Sequence, residues 1–214
     1  MSIRAVIFDL DGTLLDTLED LADAMNAVLS ALGYPVHPVE AYKQFVGDGM
    51  IMLGKRALPP EAAGDVQKAM EMLPVEYKAH LDVKTSPYPG IPELLDALSA
   101  RKVAVAVLSN KPDVFARETV EHFFANVPWA AIVGESERYP RKPDPAGAKA
   151  IAANLGIAPG DFLFVGDSPM DMQCALGAHM TPVGVTWGFR ARSTLEAAGG
   201  KLFIDTPEEL LRYL

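Results

Sequence analysis

The sequence predicts an α/β protein: a doubly wound parallel sheet with a Rossmann-like core and an inserted α-helical cap domain. Three observations carry that expectation. The apolar run Ala5-Val6-Ile7-Phe8 reads as a strand buried on both faces. From Tyr88-Pro89-Gly90 onward, helical patterns alternate with short apolar runs, as in a parallel sheet covered by helices. Between these regions, residues 15–86 show helical periodicity and no convincing strand.

The elements follow in order. Residues 3–8 form the first strand. Leu14, Leu18, Leu21, Met25, Val28 and Leu32 recur at helical spacing, and Gly33 stops that helix. Thr17 followed by Asp20 resembles a helix-capping signal. Pro59-Pro60, Gly64 and Pro74 punctuate the helical region. Helices are then expected over 92–101, 113–124 and 145–155, with strands over 103–108, 130–133 and 162–165. Short strands at 183–185 and 202–204 precede a last helix over 208–214. The core is therefore expected over 1–14 and 87–214, and the helical cap over 15–86.

Composition narrows the function classes. The 214 residues are half hydrophobic and carry a net charge of −9. An acidic chain with only 19 Lys and Arg lacks the basic face of a nucleic-acid binder. Cys174 is the one cysteine, so no intrachain disulfide can form, which suits a reducing compartment. It reads as a small buried hydrophobe on a helix rather than a nucleophile. Asp9 and Asp11 interrupt the first apolar run, which is neither a signal peptide nor a membrane span. A cytoplasmic monomer or homodimer is expected, with no membrane partner.

Chemistry concentrates at predicted strand ends, where open parallel sheets bind their ligands. The first strand runs into Asp9-Leu10-Asp11-Gly12-Thr13. Side chains alternate along an extended chain, so Asp9 and Asp11 share one side. The 103–108 strand ends in Ser109-Asn110-Lys111, and the 162–165 strand in Gly166-Asp167-Ser168 with Asp171 just beyond. Arg141-Lys142-Pro143-Asp144-Pro145 precedes a helix. Asp9, Asp11, Asp167 and Asp171 cannot all be charged on one edge without a cation. They are hard oxygen ligands without accompanying histidine or cysteine, which suits Mg²⁺ and not zinc. Ser109, Lys142 and backbone N–H groups supply the partners of an anion, so the group handled is a phosphoryl group. Asp9 can attack it to form an aspartyl-phosphate, and Asp11 can protonate the leaving oxygen.

The four segments Asp9-Leu10-Asp11-Gly12-Thr13, Ser109-Asn110, Lys142-Pro143 and Gly166-Asp167-Ser168-Pro169-Met170-Asp171 resemble the four ordered motifs of the haloacid dehalogenase-like hydrolases. The resemblance implies that Asp9 is the nucleophile and Asp11 the general acid/base, with the Asp11 main-chain carbonyl on Mg²⁺. It implies phosphate binding by Ser109 and Lys142, to which Asn110, Gly12 and Thr13 are added as candidates. Asp167 is implied as a metal ligand, with Asp171 a ligand or a support for the site. The insert then resembles the small cap that selects substrates. Phe45-Val46-Gly47-Asp48-Gly49 and Lys55-Arg56-Ala57-Leu58 resemble the cap of phosphoglycolate phosphatases. Gly47, Asp48, Gly49 and Arg56 are thus candidate specificity residues, and Lys43 or Lys55 could supply a cation instead. A Mg²⁺-dependent phosphatase acting on a small phosphorylated metabolite is the expected function, with 2-phosphoglycolate the preferred substrate. A phosphosugar mutase, or a phosphatase for pyrophosphate or a sugar phosphate, is the alternative on the same core.

Other readings weigh less. A dehalogenase needs neither a metal nor a second Asp, and a phosphate-accepting signalling domain needs no insert of this size. Gly49-Met50-Ile51-Met52-Leu53-Gly54-Lys55 has the spacing of a P-loop, but Arg56 replaces its Ser/Thr and no strand precedes it. Asn110 could instead cap the following helix. Trp187 reads as a packing residue close to a strand end, and the four histidines share no ligand spacing.

Overall fold

The computed structural model describes residues 2–214. Six strands form one parallel sheet: β1 (Ala5–Phe8), β4 (Ala104–Pro112), β5 (Ala131–Glu135), β6 (Phe162–Gly166), β7 (Thr181–Val185) and β8 (Leu202–Ile204). Their order is β5-β4-β1-β6-β7-β8. From β1 the chain winds outward through β4 and β5, then returns past β1 to β6 and winds the other way. The change of direction falls beside β1, where such sheets bind ligands beyond their carboxyl ends. Phe8 is in register with Val107 of β4 and Val165 of β6, so three neighbouring strands finish together.

Alternation along the strands builds two cores. Val6, Phe8, Val105, Val107, Leu163 and Val165 face α5 (Ile91–Ala100) and α6 (Asp113–Phe123). Ala5, Ile7, Ala106, Leu108, Phe162 and Phe164 face α7 (Ala146–Leu155) and α8 (Pro169–Gly177). All four β1 residues are buried, which is why its sequence is apolar without alternation. The aligned carboxyl ends are thus held from both faces, and that positions the polar residues following each strand.

The chain divides into two compact units, one of Met1–Leu15 with Pro87–Leu214 and one of Asp16–Ser86. The second unit holds α1 (Leu18–Leu32), α2 (Val39–Phe45), α3 (Met50–Ala57) and α4 (Val66–Ala79). Gly33 ends α1 in the left-handed conformation, φ 81°, as its sequence position suggests. Thr17 makes no side-chain cap, and Asp20 has a different task. Its buried carboxylate accepts the main-chain N–H groups of Lys84 and Thr85 and the Thr85 hydroxyl, at 2.7–3.1 Å. That ties the two ends of the helical unit together. The chain enters and leaves the unit through two short paired strands, β2 (Leu15–Asp16) and β3 (Ser86–Pro87).

Two sequence expectations need correction. The strand expected over 103–108 runs on to Pro112, with Ser109, Asn110 and Lys111 buried. The final helix is a 3₁₀ segment over Pro207–Tyr213. A six-residue helix, α9 (Arg192–Ala197), lies between β7 and β8 and was not anticipated, being too short to show a helical period.

Candidate active site

The loop after β1 is built around one acceptor. The Leu10 carbonyl receives the N–H groups of Thr13, Leu14 and Leu15, and Gly12 donates to the Leu15 carbonyl. Gly12 has φ 81°, and a Cβ there would lie 2.5 Å from Asp167 Oδ2. Only glycine turns here and lets the Asp167 carboxylate approach. Thr13 is fully buried, and its hydroxyl makes no hydrogen bond among the described residues.

Lys142 is the centre of the charge arrangement. Its buried ammonium lies 2.7 Å from Asp9 Oδ1 and 2.6 Å from Asp171 Oδ1. Burial lowers its pKa, but Asp171 and Asp9 outweigh that and hold it above the ordinary lysine value. Asn110 fixes the lysine's backbone: Lys142 N–H donates to Asn110 Oδ1 at 2.7 Å, and Asn110 Nδ2 donates to the Lys142 carbonyl at 3.2 Å. Pro112, not Asn110, stands at the N-cap of α6, so the helix-capping alternative for Asn110 falls. Ser109 Oγ accepts the Lys111 N–H at 3.2 Å.

Asp171 is the third residue of α8 and completely buried. Its Oδ2 accepts the Ser168 N–H and hydroxyl, while Oδ1 takes Lys142. Both oxygens therefore already serve protein groups. Asp167 Oδ2 accepts the Phe189 N–H at 2.7 Å. Asp9 Oδ1 accepts the Leu10 N–H at 2.7 Å as well as Lys142. Asp9, Asp167 and Asp171 offer carboxylate oxygens that all lie within 4.8 Å of one another.

Asp11 is placed apart from that trio. Lys111 Nζ lies 2.9 and 3.0 Å from its two carboxylate oxygens, and only 3% of the lysine side chain is exposed. This pairing was not anticipated. The available signal was alternation: Ser109 and Lys111 share one side of an extended chain, provided β4 continues past Leu108. The segment Trp187-Gly188-Phe189 was also missed as a support. Phe189 holds Asp167, and Trp187 Nε1 donates to the Thr13 carbonyl at 3.1 Å. A nearby cavity of about 640 Å³ is lined by Tyr88, Trp187 and Pro207 but by none of the predicted site residues.

The electrostatics fit a divalent cation. Asp9 and Asp171 share the Lys142 ammonium, Asp11 holds Lys111, and Asp167 has the Phe189 N–H with Arg190 nearby. Burial, reinforced by Asp171 and offset by Lys142, pushes Asp9 up to about 7. Burial with Asp171 and Asp9 pushes Asp167 up to about 8, against the Phe189 N–H and Arg190. Two buried carboxyls that resist ionising in bare protein are what a hard 2+ ion would relieve. Cys174, buried and pushed up to about 12 mainly by desolvation, stays a thiol and takes no part.

Within the helical unit, Gly47 and Gly49 have φ of 103° and 85°. Arg56 donates to the Phe45 carbonyl at 3.0 Å and pairs with Asp48. This arginine thus ties down the loop containing three of the other candidate specificity residues.

The family model of haloacid dehalogenase-like hydrolases matches residues 6–185, from within β1 to the end of β7. The chain belongs to that family. A protein of Pseudomonas putida named phosphoglycolate phosphatase is 34% identical over 213 residues, covering 97% of this chain and 78% of its own. One of Chromobacterium violaceum with the same name is 32% identical, covering 97% and 95%. A solved structure from Lactobacillus delbrueckii subsp. bulgaricus has a TM-score of 0.92 at 31% identity, covering 100% of this chain and 98% of that one. No helix among the described residues is long and apolar enough to cross a membrane.

Proposed function

We propose that this hydrolase cleaves 2-phosphoglycolate to glycolate and phosphate, using Mg²⁺ and an aspartyl-phosphate on Asp9. The phosphatase class rests on family membership and on relatives that carry the name along nearly the whole chain. The observation that carries the site reading is the buried Lys142 ammonium shared by Asp9 and Asp171 at the ends of β1 and β6. That lysine fixes the nucleophile and presents positive charge where phosphate oxygens would arrive.

Each residue then has one task. Asp9 Oδ1 is engaged by Lys142 and the Leu10 N–H, which leaves Oδ2 to attack phosphorus. Asp11 passes a proton to the leaving oxygen and later takes one from the water that hydrolyses the intermediate. Ser109, Lys142 and the backbone around Gly12 receive phosphate oxygens. Asp9 and Asp167, with the Asp11 main-chain carbonyl, would hold Mg²⁺, and Asp171 would steady the site through Lys142 and Ser168. Bound there, the ion neutralises the carboxylates and the phosphoryl charge. The helical unit acts as the substrate-selecting cap, with the loop around Gly47, Asp48 and Gly49 tied by Arg56.

Phosphate release from 2-phosphoglycolate, pyrophosphate and sugar phosphates, each with Mg²⁺ and with excess chelator, tests the reading. The highest kcat/KM should fall on 2-phosphoglycolate, and the chelator should stop turnover. A better rate on another ester overturns the substrate, and undiminished metal-free turnover overturns the mechanism. Isomerised sugar phosphate in place of inorganic phosphate would favour a mutase.

A further inference from the structure

We propose that Lys111 recognises the anionic group that the substrate carries beyond its phosphoryl group, which for 2-phosphoglycolate is the carboxylate. This rests on the substrate reading given above. The argument begins with where positive charge is kept. Lys142 is committed to Asp9 and Asp171, where the transferred phosphoryl group belongs. Lys111 is the second ammonium buried at the same sheet edge, clamped to both oxygens of Asp11. Within the helical unit, Arg56 pairs with Asp48 and Lys43 with Glu40, so two cations expected to read the substrate's far end already hold carboxylates of their own unit.

Position supplies the second step. Asp11 serves the leaving oxygen, so its carboxylate must meet the oxygen that bridges phosphorus and carbon. In 2-phosphoglycolate a single methylene separates that bridging oxygen from the carboxylate. A cation gripping Asp11 is therefore within one side-chain length of the substrate's second charge. Lysine suits the task, because a flexible ammonium can turn its donors from one carboxylate to another without the planar constraint of a guanidinium. A substrate lacking that second charge gains nothing from Lys111 and meets a buried cation that stays clamped to Asp11.

Lys111 lies in the last residues of β4, where its backbone N–H goes to Ser109 Oγ and its ammonium to Asp11. Keeping an ammonium almost wholly out of water is costly unless its partners are good. Asp11, whose side chain is 17% exposed, is a partner open to a ligand's approach.

The test compares kcat/KM on 2-phosphoglycolate with that on ethyl phosphate, in which a methyl group replaces the carboxylate. Wild-type enzyme, Lys111→Met and Lys111→Arg are measured side by side. The wild type should prefer 2-phosphoglycolate, and Lys111→Met should reduce that preference by about tenfold or more. Lys111→Arg should keep a larger part of it, and inhibition by glycolate should weaken in Lys111→Met. A wild type without the preference overturns the substrate reading and this inference together. A wild-type preference that survives in Lys111→Met, with both esters slowed equally, overturns the inference alone and leaves Lys111 as a support for Asp11. If Lys111→Met does not fold, Lys111→Gln is read by the same ratio.

Discussion

The closest approach of Lys142 to Asp9 is at Oδ1. The ammonium sits 2.7 Å from Asp9 Oδ1, the same oxygen that accepts the Leu10 N–H. The pairing orients the carboxylate and, on the proposed mechanism, leaves Oδ2 to attack. Asp9→Asn can keep Oδ1 in place as an amide oxygen while putting a non-nucleophilic nitrogen at Oδ2. Phosphate release should fall by on the order of 10³ or more, as when other catalytic nucleophiles are removed. The metal-free variant should melt no lower than wild type, because one of several crowded carboxylates has gone. Retained turnover in a phosphate-release assay would dismiss Asp9 as the nucleophile.

Asp11→Asn should slow turnover by about 10²–10⁴-fold, the usual contribution of a positioned acid or base. The loss should be greatest for esters with poor leaving groups, since those need the proton most. The variant also leaves the buried Lys111 without its carboxylate, so a circular-dichroism melt must accompany the kinetics. An equal loss on activated and unactivated esters would contradict the acid role.

Stability of the metal-free protein should fall as pH rises. Asp9 and Asp167 are raised to about 7 and about 8 in the fold, mainly by burial, whereas unfolded aspartates titrate near 4. Between these values the folded state binds more protons than the unfolded one, so the slope of unfolding free energy against pH is negative. Most ordinary carboxylates are already ionised at pH 6. A fall in melting temperature from pH 6 to 9 in chelator should therefore shrink in Asp9→Asn and in Asp167→Asn. Mg²⁺ binds the ionised forms, so saturating metal should flatten the curve. A melting temperature in chelator that rises over this range would refute the raised values.

Gly47→Val probes the proposed selecting role of the helical unit. Gly47 has φ 103°, a conformation a β-branched side chain resists, in the loop that Arg56 ties through Phe45 and Asp48. Turnover of 2-phosphoglycolate should drop several-fold more than that of a small artificial ester. Equal losses on both would indicate general damage, and no loss would remove the loop from substrate selection.

The fold was legible where one local rule governed many residues. Val6, Phe8, Val105, Val107, Leu163 and Val165 are apolar because two helical layers cover the sheet, and that pattern survives without knowledge of contacts. Asp9 and Asp167 stood out at the ends of expected strands, and Lys142 in the proline-flanked loop before a helix. The pairing of Lys111 with Asp11 joins residues 100 positions apart, and that of Asp20 with Lys84 and Thr85 spans 64 and 65. No periodicity encodes such contacts. The extension of β4 to Pro112 was hidden for a related reason: buried Ser109, Asn110 and Lys111 look like a loop until their partners are known.

Gly188→Ala separates the support of Asp167 from the chemistry. A Cβ at Gly188 would overlap the Asp167 Cβ and lie 2.6 Å from Asp167 Oδ2 and 2.5 Å from the Gly12 carbonyl. Gly188 is not among the left-handed glycines, so alanine brings no backbone strain, only that collision. Relief requires moving either Asp167 or the segment whose Phe189 N–H holds it. Groups that orient a metal ligand typically carry about 10–100-fold of metal affinity. Mg²⁺ affinity by calorimetry should weaken on that scale, and the Mg²⁺ concentration for half-maximal rate should rise with it. The melting temperature in chelator should change far less than the metal affinity. Unaltered Mg²⁺ binding would mean that the loop yields without displacing Asp167, and that the carboxylate does not depend on Phe189 for its place.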